Sequence, residues 1–247
     1  MRALTKYTWV EIKLFLREPI GAFFTLVFPL MMLILFGTIY GNDPSPYFNG
    51  YGTVDVSVPA YTAMIIGTTG IMGLTITMSA YREKGILRRL RATPLRPQII
   101  LFAQVVVIFM MTMAGMLILI LAGKLVYDLR FDGNPLSVAL AFILSSLSFF
   151  SLGFVLASVM PTARTAQVVG MVIFYPMLFL SGAGLPLELL PDGVRKISNF
   201  LPLTHVVTLL RGLWTGGAWN QHITEVIVLT SLLVGGVLIS AKTFQWE

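Results

Sequence analysis

Residues able to do chemistry are few in this sequence, and their spacing brings none of them together. There is no cysteine, which excludes disulfides, thiol catalysis and cysteine-based zinc sites. The two histidines, His205 and His222, are too few and too far apart to argue for a metal. Gly123-Lys124 is followed by Leu125 and lacks the upstream glycine that a phosphate-binding loop requires. Ser, His and Asp all occur, but nothing places them as a nucleophilic triad. No catalytic residue and no metal ligand is assigned.

What remains is charge, concentrated in REKGILRRLRATPLRP, Arg82 to Pro97, where six of sixteen residues are Lys or Arg and only Glu83 is acidic. At about 100° per residue, Ile86, Leu87 and Leu90 form an apolar stripe opposite Lys84, Arg88, Arg89 and Arg91. Glu83 falls inside that stripe. A carboxylate there is costly unless satisfied, so it should face a base or a row of N–H donors. Thr93-Pro94 ends the helix, because the residue before proline disfavours helical geometry. Two readings are open: a short helix that docks another protein, or a topology-setting loop whose bases reach lipid head groups.

The elements around it are apolar. The 247 residues are 56% hydrophobic and 11% charged, where a soluble domain carries roughly 25% charged residues. A net charge of +6 would raise nucleic acid in a soluble protein, but here the placement of the charges matters more, and no nucleic-acid partner is expected. A membrane-crossing helix needs about 20 apolar residues. Gaps between charges predict six: 19–42, 56–81, 97–123, 136–161, 165–187 and 223–241.

With the N-terminus inside, the inner segments hold twelve Lys and Arg and the outer ones five, while acids divide four inside and seven outside. Both termini are therefore expected in the cytoplasm. Residues 1–18 place Arg2, Lys6, Lys13 and Arg17 on one helical face, as an interfacial helix against membrane lipid does. Gly41–Asp55 reads as a turn-type surface loop. Residues 188–214 are apolar but broken by Pro191 and Pro202, which predicts an outer re-entrant segment. The fold class is thus an all-α membrane protein of one domain.

Three stretches resemble the ABC-2 type permeases. YREKGILRRLRATPLRP is similar to that family's cytoplasmic loop between its second and third spans. FLREPIGAFFTLVFPLMMLILFG (Phe15–Gly37) resembles the approach to its first span, and SGAGLPLELLPDGVRKISNFLPLTHVVTLLRGLW (Ser181–Trp214) its closing signature. The drug- and antibiotic-export branch is the nearest in pattern.

The resemblance implies the membrane half of an ATP-driven transporter, working with ABC ATPase subunits and with a second permease copy or a sister permease. ATP and Mg would sit on the ATPase, and this chain would bind no cofactor. Residues 82–94 would be the coupling helix, with Arg82, Glu83, Lys84 and Gly85 at the ATPase contact and Arg88 and Arg89 on its rim. Glu83 would find its partner in the ATPase or the N-terminal helix.

Ionisable groups are almost absent from the spans, Glu225 being the marginal case, so a proton relay is disfavoured. Apolar, Met-rich spans suit a hydrophobic or amphipathic cargo. Thr68, Met72 and Thr75 on the second span and Phe174, Met177 and Leu178 on the fifth are the candidates to face it, against ordinary helix packing. A membrane module that binds such a compound and signals, without ATP-driven transport, is the alternative function.

Overall fold

The computed structural model describes residues 12–13, 19–86 and 97–243. Apart from Ile12 and Lys13, the expected interfacial helix lies outside them, as do Arg88, Arg89 and the rest of the expected coupling helix from residue 87 on.

Every regular element among the described residues is helical. Helix α1 covers residues 19–40 and α2 runs Thr53–Glu83. They are followed by α3 (Pro97–Tyr127), α4 (Pro135–Val159) and α5 (Ala163–Leu180). Two shorter helices, α6 (Asp192–Ser198) and α7 (Pro202–Trp214), precede α8 (Ile223–Thr243). Six of these are long and apolar enough to cross a membrane. At 1.5 Å per residue, the 13-residue α7 is too short to do so.

The helix ends differ from the charge gaps for physical reasons. Helix α2 begins at Thr53, ahead of the expected 56, because Asp55 is taken into its first turn with every carboxylate oxygen engaged. Asn134 caps α4 by accepting from the amides of Leu136 and Ser137. Helix α5 stops at Leu180, short of the expected 187, where Gly182 (φ +88°) turns the chain. Helix α2 ends at Glu83, and Gly85 (φ +63°) takes the left-handed conformation that terminates it. Arg82 and Glu83 therefore close the second long helix, where a separate helix from residue 82 was expected.

The core is built around α2, the most buried of the long helices. Gly70 and Gly153 let α2 and α4 touch backbone to backbone, with the Gly70 carbonyl lying where a side chain at 153 would stand. Helix α8 packs along α4, and Ser148 Oγ and Ser151 Oγ donate to the carbonyls of Leu229 (2.7 Å) and Leu232 (3.1 Å). Such hydrogen bonds and small residues are what hold helices together where the surroundings are as apolar as the side chains.

Helix α7 turns its apolar face inward, burying Leu203, Val206, Leu210 and Trp214. Leu203 packs beside Gly67 and Phe174, about halfway along α2, whereas Trp214 Nε1 donates to the Arg130 carbonyl in the α3–α4 loop. The segment thus reaches from that rim into the bundle.

Candidate functional site

Two adjacent residues in the last turn of α2 grip both sides of the α4–α5 turn. The Arg82 guanidinium donates to the carbonyls of Ala157 (2.7 Å), Ser158 (3.3 Å) and Met160 at the end of α4. Glu83 Oε2 accepts from the amide of Ala163, the first residue of α5, at 2.9 Å. The signs match the helix ends: a cation at the carbonyl end of α4 and an anion at the amide end of α5. Glu83 meets an N–H donor, as expected, although the helix ends at this residue and its side chain is exposed, so no buried apolar stripe demands the contact. That donor lies in the chain itself. Lys84 and Gly85 form the turn that follows.

A cavity of about 270 Å³ lies between α1, α2, α3 and α5, close to the lower end of the roughly 300–1,000 Å³ typical of small-molecule sites. Of the six residues expected along a cargo path, Thr68, Met72, Phe174 and Leu178 line it. The other two stand elsewhere. Thr75 is buried with its hydroxyl donating to the Gly153 carbonyl at 3.2 Å, and Met177 packs in the core. Gly21, Phe24, Thr25 and Phe28 line the cavity from α1, Gln104 and Ile108 from α3, and Gln167, Met171, Tyr175 and Phe179 from α5. Among the described residues, no charged side chain lines it.

Two π-helical stretches, Phe23–Val27 in α1 and Thr68–Leu74 in α2, both contribute to this wall. π-turns are rare and frequent at functional sites, since the widened turn gives up regular packing. The Thr68 and Thr69 hydroxyls donate to the carbonyls of Met64 and Ile65 (2.8 Å each), holding the start of that stretch. No periodicity in the sequence marks either π segment. Gln104 was equally hidden, as one amide in a long apolar run.

A second polar centre lies at the other end of α2. The buried Asp55 carboxylate accepts from Asn42 Nδ2, Gly52 N and Arg130 N, each at 2.9 Å. Asn42 in turn accepts from the amides of Val54 (3.0 Å) and Asp55 (3.1 Å) and donates to the Tyr127 carbonyl (3.0 Å). The expected surface loop 41–55 is therefore pinned at both ends. Beside it the Tyr51 hydroxyl donates to Asp132 Oδ2 at 3.0 Å. Partial burial and the Asp132 carboxylate push the Tyr51 hydroxyl above the ordinary tyrosine range.

Arg211 pairs with Glu188 at 2.7 Å and lies over the Phe48 ring. His205 Nε2 is 3.1 Å from the Asn199 carbonyl, and His222 is 3.8 Å from Glu225, which stands in the first turn of α8. No group of three or more metal-ligating side chains occurs among the described residues.

Known proteins place this architecture. The sequence matches the family described as ABC-2 type transporter over residues 2–214. It is 24% identical to a protein named as a transport permease, YvfS of Bacillus subtilis, covering 89% of this chain and 85% of that one. Against the daunorubicin resistance ABC transporter permease protein DrrB1 of Streptomyces coeruleorubidus, identity is 25% over 85% of this chain and 72% of the relative. A protein named as a transport permease in Cyanophora paradoxa, ycf38, is 27% identical over 87% of this chain and 74% of its own length. With six membrane-crossing helices and a family match over most of its length, the chain is a multi-pass membrane protein and belongs to the ABC-2 type transporter family, as a permease.

Proposed function

We propose that this permease is the membrane-spanning half of an ATP-driven exporter of a hydrophobic or amphipathic compound, in the plasma membrane, with ATP and Mg held by separate ABC ATPase subunits. The observation that carries the reading is the Arg82–Glu83 grip on the α4–α5 turn. The excess of Lys and Arg puts that end of the bundle in the cytoplasm. An ATPase seated on Arg82–Gly85 and on the following segment with Arg88 and Arg89 would then move α2 and the start of α5 together.

Those two helices carry Thr68, Met72, Phe174 and Leu178, so motion at the grip reaches the cavity wall directly. Thr75 and Met177 act behind that wall, as packing. The cavity mouth lies between α1 and α5, where Phe24, Tyr175 and Phe179 are exposed, and a second permease copy or a sister permease would cover it. The 188–214 segment would close the outer side as a re-entrant pair of helices.

The test is a mild-detergent pull-down of the full chain from its native membranes with mass spectrometry. Co-purification of an ABC-type ATPase, lost on substituting Glu83 and Arg88 together, supports the reading. A chain recovered without any ATPase, in a preparation that preserves other ABC complexes, would overturn it.

A further inference from the structure

The cavity has a small companion at the outer end of α2. Ser57 and Tyr61 from α2, Gly182 and Ala183 from the turn after α5, and Arg211 from α7 enclose a space of about 20 Å³, room for about one water molecule. Both spaces lie along one face of α2. Ser57 and Tyr61 border the outer one, and Met64, Thr68, Met72 and Ile76 the inner one. Steps of three or four residues keep these side chains in line. Tyr61 and Met64 are about 4.5 Å apart along the helix axis. On the other wall, Leu178 borders the cavity and Gly182, one turn on, borders the outer space. About one turn of packed side chains therefore separates the two.

Arg211 closes the outer space and is held from two sides. Its Nη1 lies 2.7 Å from Oε1 of Glu188, in the short turn Leu187–Leu189. Its guanidinium stands 5.6 Å from the centre of the Phe48 ring, in the loop that precedes α2. The same loop reaches the end of α7, where the Tyr51 hydroxyl donates to the Thr215 carbonyl at 3.1 Å. One side chain of α7 thus joins three segments at the rim of the space. The Arg211 and Glu188 side chains are 20% and 29% exposed, and ion pairs that water reaches are weak and readily broken. Such a contact suits a part that opens in every cycle, which a buried pair, costly to break, does not.

Resting on the exporter reading above, we infer that Arg211 and Glu188 form a latch on the outer end of the cargo path. With the pair closed, α7 stays against the turn after α5, and the outer space is too small for cargo. With the pair broken, α7 parts from that turn, and the outer space widens toward the cavity along the α2 face. Phe48 steadies the Arg211 guanidinium in the closed position.

The chain has no cysteine, so one introduced thiol reports its own accessibility. Ser57→Cys places it in the outer space of the full chain, in right-side-out membrane vesicles. The probe is a membrane-impermeant methanethiosulfonate bearing a trimethylammonium group. Labelling should be slow with the pair intact and about two- to fivefold faster once Glu188→Gln is added, the range expected of one accessible ion pair. Loss of the Glu188 charge attracts a cationic reagent less, so a rise reports opening and not electrostatics. Ser146→Cys, fully buried in α4, reports general loosening and should stay unlabelled with and without Glu188→Gln. Equal rates at Ser57→Cys in the two backgrounds would overturn the inference. So would fast labelling there with the pair intact, or a rise at Ser146→Cys that matches it. These rates need no ATPase, so the pull-down still judges the exporter reading on its own.

Discussion

Glu83 Oε2 lies 2.9 Å from the amide of Ala163, so the last residue of one membrane helix caps the first residue of another eighty positions away. Replacing an acceptor at a helix N-terminus by alanine costs about 0.5–2 kcal/mol, too little to unfold a six-span bundle. Glu83→Ala should therefore leave the permease folded and uncouple it from its ATPase, whereas Glu83→Gln, which keeps an oxygen acceptor, should retain most of the coupling. ATPase-driven transport in proteoliposomes, compared with the thermal midpoint of each variant, separates the two effects. Equal transport by Glu83→Ala and wild type, with the complex intact, would count against the grip as a lever.

Arg82 makes the opposite contact, donating to three carbonyls at the end of α4. Lysine presents a point charge where arginine presents a planar fork, and it cannot reproduce several divergent donations. Arg82→Lys should thus behave closer to Arg82→Ala than to wild type, with transport reduced about 10-fold or more if one charge-assisted bond of roughly 1.5–3 kcal/mol is lost from the moving contact. A lysine variant with full transport would show that charge alone suffices.

Asp55 should govern folding. Its carboxylate joins the Asn42 side chain, the start of α2 and the loop after α3. Asp55→Ala strips three neutral donors of their acceptor in a buried place, at a cost of about 1–3 kcal/mol for a donor left unpaired. Asp55→Asn keeps part of the set but turns one acceptor into a donor facing an amide. Both should lower the yield of monodisperse protein and the unfolding midpoint, alanine more, in size-exclusion and thermal-shift measurements. An Asp55→Ala protein as stable as wild type would show the network to be dispensable.

These three sites differ in how far sequence reveals them. The six long helices follow from gaps between charges, because a run of about 20 apolar residues satisfies its own backbone in lipid by coiling into a helix. The sequence wheel points Glu83 toward N–H donors, but for a reason the structure does not keep: the helix ends at Glu83, the carboxylate is exposed, and its donor comes from a helix eighty residues on. Asp55 reads as a loop residue, since its partners come from three separate segments and only folding brings them together. The π stretch at Thr68–Leu74 leaves no periodic trace; it coincides with the Gly70–Gly153 contact and with threonine hydroxyls bonding their own helix, neither of which a sequence displays. Gln104 is invisible for a related reason, because an amide in an apolar run matters only once a cavity stands beside it.

Gly153 tests that contact directly. A Cβ there would meet the carbonyl oxygen of Gly70, which is backbone and cannot swing aside. Gly153→Ala should destabilise the bundle by about 1–3 kcal/mol through overpacking, and Gly153→Val by more. Because α2 must shift to relieve the clash, its π stretch should move too. ATPase-driven transport should therefore weaken even in the alanine protein that still folds. Unchanged stability and transport in Gly153→Ala would mean the two helices are free to separate.

Tyr51 supplies the alkaline limb of stability. Its hydroxyl donates to Asp132 and to the Thr215 carbonyl, and partial burial beside that carboxylate raises its pKa above the usual 10.0. A raised folded-state pKa favours the protonated form, so the stabilisation is fully present below pH 10 and is lost as pH climbs through the folded value. Wild type should show a falling thermal midpoint above about pH 10 that Tyr51→Phe lacks, the variant being somewhat less stable at neutral pH for want of the two hydrogen bonds. Parallel midpoint curves for the two proteins from pH 8 to 11.5 would show that the Tyr51–Asp132 bond does not hold the outer loop.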